Sequence, residues 1–159
     1  MVARGWGVVA ITMLREYKKG TTMDSMSVND MIADARTRIT GLSKEEMQRE
    51  LESGEAVVVD IRDVRERWRD GTIPGAKHLP RGMLEFWADP QSEYHKRYMD
   101  PQKRTIVYCA GGLRSSLAAD VLQKMGYTNV AHLEMGFDGW KKAGGAWEEV
   151  PIPDEFRKG

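Results

Sequence analysis

Hydrophobic positions along the 159-residue chain alternate between short unbroken apolar runs and longer stretches with helical spacing. Residues 56–59, 106–108 and 130–133 are short apolar runs of the kind expected for strands buried on both faces of a parallel sheet. A further short strand is predicted over 77–79, entered by the Ile73-Pro74-Gly75-Ala76 turn and broken by Pro80. Residues 27–38 set Val28, Met31, Ile32 and Ala35 on one helical face, ready to pack against the domain or against a second copy in a homodimer. Residues 114–125 carry Leu117, Ala118, Val121, Leu122 and Met125 at the spacing of a helix lying on a sheet.

Start and stop signals frame the remaining helices. Ser43 with Glu46, and Asp63 with Glu66, are capping boxes, while Gly54, Gly71 and Gly126 follow predicted helix ends. Met47 and Leu51 give the first of these helices its apolar face, and Trp68 is the expected anchor of the second. Residues 81–87 read as a further helical segment, with Phe86 and Trp87 expected in the core and a pocket wall as their alternative place. Phe137 and Trp140, three apart, are expected to lock a final helix onto the core. Strands and helices thus alternate with crossovers of suitable length, which predicts an α/β domain: a parallel sheet with helices on both faces.

Composition narrows this picture. With 41% hydrophobic residues, the chain suffices for one domain with a real core, placed at 27–150. Residues 1–26 read as a disordered or non-native extension with Met23 or Met26 as the native start, and 151–159, rich in Pro and charge, as a flexible tail. The apolar run 6–14 is too short to span a bilayer, and no small-residue cleavage pattern follows it before Lys18. Cytoplasm is the expected location, with periplasm the alternative. The 24 basic and 24 acidic residues cancel without a basic tract, so neither a nucleic acid nor a membrane is an expected partner. A single cysteine excludes an internal disulfide, and the three scattered histidines show no metal-ligand spacing, so no metal site is expected.

That cysteine is the candidate for chemistry. Cys109 directly follows the 106–108 run and precedes the helical pattern, so it sits where a strand gives way to a helix. The first turn of a helix carries unpaired N–H groups and the positive end of the dipole. Gly111 and Gly112 let the loop curl its amides inward around an anion, and Arg114 adds a cation, so the thiolate is favoured over the thiol. A structural cysteine packed as a small hydrophobe is the alternative. Asp60 and Arg62 fall at the carboxyl end of a predicted strand, where ligands bind in open α/β sheets. Both are placed either to meet a ligand or to pair and tie down the loop, with pairing the expectation for Asp60. Arg81 follows another strand end and has the same two readings, ligand contact or solvated charge.

The loop Cys109-Ala110-Gly111-Gly112-Leu113-Arg114-Ser115 resembles the active-site loop of rhodanese-like sulfurtransferases. The resemblance runs from about residue 39 to 150 and includes Val57-Val58-Val59-Asp60-Ile61-Arg62, Gly71-Thr72-Ile73-Pro74-Gly75-Ala76 and Gly136-Phe137-Asp138-Gly139-Trp140. Thr72 stands where the family usually has His, and Trp68 where it has Tyr or Phe; both departures look structural. The stretch after Arg81 is similar to the branch that includes polysulfide sulfurtransferases. The resemblance implies a sheet of about five strands and transfer of sulfane sulfur through a Cys109 persulfide, with no cofactor. It implies amides of Ala110, Gly111, Gly112, Leu113, Arg114 and Ser115 holding the persulfide charge. Arg114 and Arg81, with Arg62 a further candidate, would attract a small anionic donor such as thiosulfate or polysulfide, and the acceptor would be a thiol or a cyanide-like nucleophile. Two rivals remain: a rhodanese-like binding or regulatory module without turnover, and a Cys-dependent phosphatase. The phosphatase pattern needs five residues between Cys and Arg, whereas four separate Cys109 from Arg114 and Ser115 fills the next position.

Overall fold

A computed structural model describes residues 25–157, so most of the expected extension at 1–26 lies outside the described residues. The elements, in order, are α1 (Val28–Arg36), β1 (Thr40–Leu42), α2 (Lys44–Ser53), β2 (Val57–Asp60), α3 (Val64–Asp70) and β3 (Lys77–His78). A 3-10 turn (Arg81–Met83) then leads into α4 (Leu84–Ala88), followed by β4 (Thr105–Tyr108), α5 (Leu113–Lys124), β5 (Val130–Leu133) and α6 (Gly136–Lys142). Five strands form one sheet in the order β1-β5-β4-β2-β3, with every pairing parallel. β4 is the central strand, and its carboxyl end therefore opens at the middle of the sheet edge.

Strand alternation divides the core into two layers. Val59 and Val107 pack with Leu84, Ala118 and Leu122 on one face; Val58, Ile106 and Tyr108 pack with Met47, Phe137 and Trp140 on the other. α4 and α5 thus cover the first face, α2 and α6 the second. Both predicted capping boxes form, Ser43 with Glu46 and Asp63 with Glu66. A third closes between Ser27 and Asp30 at the start of α1. α1 lies outside α5, burying Ile32 and Ala35 and bonding across it through Arg38 to Asp120 at 2.8 Å and Arg36 to Ser116 at 3.3 Å. Val28 and Met31, expected on its apolar face, stay exposed.

The fold departs from the sequence reading at three places. β1 carries no strand signal: Thr-Gly-Leu is three residues long with one buried, and it exists because an edge position beside β5 completes the sheet. Phe86 is 53% exposed and meets Tyr94 edge-on, because the 3-10 start sets the phase so that Leu84 and Ala88, four apart, face the core. Trp68 anchors nothing in the core: α3 buries no residue fully, and the indole packs on Phe156 of a second 3-10 turn (Asp154–Phe156), with ring centroids 5.3 Å apart. Phe156 brings the tail beside α3, while Thr72 and Glu148 form an isolated antiparallel bridge.

Candidate active site

The site is built by the last residue of β4 and the first turn of α5. Tyr108 ends the strand, its carbonyl accepting from Ile61 N–H at 3.0 Å, and the next residue is Cys109. The chain then turns at Gly112, whose φ of 88° and close approach to the Glu134 carbonyl leave no room for a Cβ. Gly111 takes no such conformation and is open to solvent, so the turn depends on the second glycine of the pair. Gly136, at φ 66°, presses on the Ala110 carbonyl in the same way. The Cys109 and Ala110 carbonyls accept from Phe137 N–H at 2.8 Å and Asp138 N–H at 3.0 Å. Two abutting loops thereby hold the cysteine between them.

No side chain caps α5, so its orphan amides are left for another acceptor. The Cys109 sulfur is that acceptor: Gly112 N–H lies 3.2 Å and Ser115 N–H 3.4 Å from Sγ. Cys109 is 1% exposed, which fits the structural-cysteine alternative by burial alone. A sulfur packed as a hydrophobe does not collect two N–H donors at a helix N-terminus, however, and such donors stabilise a thiolate. Of the amides at 110–115, those of Gly112 and Ser115 point at the sulfur itself. Ala110 is tied to α6 through its carbonyl, and the Leu113 side chain stands exposed on the rim.

The arginines separate into three situations. Arg114 reaches Glu66 with both terminal nitrogens, each at 2.8 Å, so its charge near the loop is fixed in place and partly offset. Arg114 holds the Glu66 carboxyl below its usual range, and Glu66 also accepts the Asp63 N–H of the capping box. Arg81 follows β3; its N–H donates to Ile61 O, one strand over from Cys109, and its guanidinium pairs with Glu85 at 2.9 Å. Arg62 is a correction to the donor-binding expectation. It is fully buried, bonding Asp60 at 2.7 and 3.0 Å and the Gly71 carbonyl at 2.7 Å, with its guanidinium over Phe137 at 4.2 Å. A guanidinium so enclosed ties the loop after β2 to the turn at Gly71 and presents nothing to an incoming anion. Asp60 also accepts from Thr72 at 3.2 Å and from the Tyr108 hydroxyl at 2.9 Å, so this network braces the end of β4 from below.

Two neighbours of the site escaped sequence reasoning. Glu66 was legible only as a cap. His132 was one of three scattered histidines, yet its side chain is buried and its Nδ1 lies 3.0 Å from Ser115 Oγ, which stands 3.5 Å from Cys109 Sγ. Its signal was a polar residue inside the otherwise apolar run Val130–Leu133. Burial, with the charge of Arg36 adding, pushes His132 down to about 4, so the imidazole is neutral at pH 7. Among the described residues, no three His, Cys, Asp or Glu side chains converge as a metal site, and no helix is long and apolar enough to cross a membrane.

A parallel five-stranded sheet with a lone cysteine cradled between the central strand and the following helix agrees with the family comparison: the chain belongs to the rhodanese-like domain family, whose model matches residues 43–143. Among individual proteins it is similar to the thiosulfate sulfurtransferase GlpE of Actinobacillus succinogenes, 33% identical over 59% of this chain and 77% of that protein. The human single-domain sulfurtransferase TSTD1 is similar in structure, at 27% identity and a TM-score of 0.56, over 64% of this chain and 95% of that one. A structure from Rhodopseudomonas palustris is more alike: 46% identical, TM-score 0.75, covering 81% of this chain and 98% of that one. It is described as a protein of unknown function and possible tyrosine phosphatase.

Proposed function

We propose that this chain is a sulfurtransferase that carries sulfane sulfur on Cys109. Family membership and relatives named as sulfurtransferases support the reaction class. The observation that carries the mechanism is the pair of amides, Gly112 N–H and Ser115 N–H, aimed at Sγ. In the first step the Cys109 thiolate attacks the outer sulfur of thiosulfate or of a polysulfide. The donor's sulfur–sulfur bond breaks, and sulfite or the shortened polysulfide leaves with the electron pair. In the second step a thiolate or cyanide attacks the outer persulfide sulfur and Cys109 leaves as thiolate. Splitting the transfer in two gives each half a simple displacement, and the amides at the start of α5 hold the negative sulfur in both. The depth of Cys109 suits a slender donor with a terminal sulfur.

The phosphatase description of the Rhodopseudomonas palustris structure makes that reading the rival to exclude. Its chemistry needs an arginine folded over the anion, whereas Arg114 is one residue too early and is gripped by Glu66. Intact-mass measurement without reductant, after incubation with thiosulfate or polysulfide, should show a gain of one sulfur on Cys109 that cyanide removes. Cys109→Ser should lose both the adduct and turnover while keeping the fold. Cys109-dependent hydrolysis of an aryl phosphate without any adduct would establish the phosphatase instead. Neither adduct nor hydrolysis would favour a binding module.

A further inference from the structure

The polar side chains behind Cys109 form a line that the displacement chemistry alone leaves unused. His132 of β5 lies between Gly41 of β1 and Val107 of β4, which bring it no charge. From the helix side it meets Ser115, then Cys109, at 3.0 and 3.5 Å along the line, with all three side chains buried. The charged groups around this line are Arg36 of α1, which bonds Ser116; Arg114 with Glu66 at the start of α5; Asp120, held by Arg38 and Lys124 farther along it; and Glu134, two residues on from His132, whose carboxylate stands over Gly41. None of these pairs with the imidazole. Among the described residues Nδ1 bonds Ser115 and Nε2 bonds no protein group, which leaves Nε2 for water.

We propose that His132 is a positioning residue for the sulfur chemistry, drawing the thiol proton off Cys109 through Ser115 and then holding the Ser115 hydroxyl against the sulfur as a donor. The inference rests on Cys109 being the nucleophile. In the resting thiol, Sγ–H donates to Ser115 Oγ, the hydroxyl donates to Nδ1, and the imidazole proton sits on Nε2. Activation moves the Sγ proton to Oγ, the former hydroxyl proton to Nδ1, and the Nε2 proton to water, so the line loses one proton in all. Sγ is then a thiolate receiving Oγ–H, and Oγ receives Nδ1–H. A hydroxyl has one proton, so Ser115 can face the sulfur as donor only if Nδ1 supplies its other partner. The imidazole is neutral before and after, consistent with a ring that burial and Arg36 keep from charging.

The wild-type chain tests this directly. Nitrogen-15 spectra of its histidine rings, recorded while the Cys109 thiolate is followed by ultraviolet absorbance, should show His132 staying neutral but passing from the Nε2–H to the Nδ1–H tautomer as the thiolate appears. A tautomer unchanged across that titration overturns the proposal. In His132→Val the thiolate should form at higher pH, slowing alkylation by iodoacetamide near neutral pH about tenfold, the equivalent of one hydrogen bond to a charged group. His132→Asn, whose amide N–H stands near the place of Nδ1, should recover most of the rate. A folded His132→Val with the wild-type curve also overturns the proposal, and if that variant fails to fold the wild-type spectra still decide. Because these readouts need no sulfur donor, a protein that switches tautomer but forms no adduct refutes the sulfurtransferase reading alone. One that forms the adduct without the switch refutes only the role of His132.

Discussion

Arg62 shows how burial converts a candidate ligand contact into a brace. Its guanidinium has Asp60, the Gly71 carbonyl and the Phe137 ring as partners, and its remaining terminal nitrogen, Nη1, is buried without one. Removing the arginine would leave the Asp60 carboxylate buried beside Tyr108 with only Arg67, at 3.2 Å, as a cationic neighbour. Breaking one side of a buried pair costs about 3–5 kcal/mol. Arg62→Ala should therefore lower the urea-unfolding free energy by about that much, while the remaining folded fraction keeps its donor KM. A loss below about 1 kcal/mol, or a raised KM in fully folded protein, would return Arg62 to the binding site.

At the scale of elements, the 3-10 turn Arg81–Met83 follows β3 at the carboxyl edge of the sheet, the edge that also carries Cys109 after β4. Arg81 is half-buried and its i,i+4 partner Glu85 cancels part of its field. It is therefore expected to assist donor capture modestly and the later transfer hardly at all. Arg81→Ala should reduce kcat/KM for thiosulfate about threefold at low salt, below the tenfold or more of a focused charged cleft. Added salt should shrink the difference, because exposed charges are screened beyond about 10 Å at 0.1 M. Identical kinetics at low salt would make Arg81 a solvated surface charge. α5 is the counterpart element: its uncapped start serves the sulfur, and its middle is fastened under α1 through Arg38 and Asp120.

For the molecule as a whole, His132 ties global stability to pH. Its folded value is pushed down from 6.5 to about 4, so the unfolded chain binds more protons than the native one between those values. Stability from this group is fully present above pH 6.5 and is lost as pH falls toward 4, amounting to about 3 kcal/mol over the full window. Asp120, held at about 2 by Arg38 and then Lys124, loses its contribution only below its ordinary 3.8, outside that window. Urea midpoints measured from pH 6.5 to 5 should therefore fall in the wild type and stay flatter in His132→Asn. Parallel slopes would mean that His132 charges freely in the folded state.

The amino-acid sequence by itself determined the alternation of elements, the capping boxes and the strand–loop–helix that carries Cys109. Those features rest on neighbours within a few residues: apolar periodicity, a glycine that a tight turn requires, a carboxylate three residues past a cap. Only the tertiary structure decided which distant groups meet. β1 became a strand because β5 offered it an edge, Phe86 turned outward because a 3-10 start shifted the phase of α4, and Trp68 met a tail that its own helix could not foretell. Glu66 closed on Arg114 across 48 positions, and His132 came behind Ser115 because parallel pairing of β5 with β4 carries its side chain under the first turn of α5. Local signals record what the backbone does next, whereas the partners of a buried side chain are set by sheet register, which no short stretch of sequence encodes.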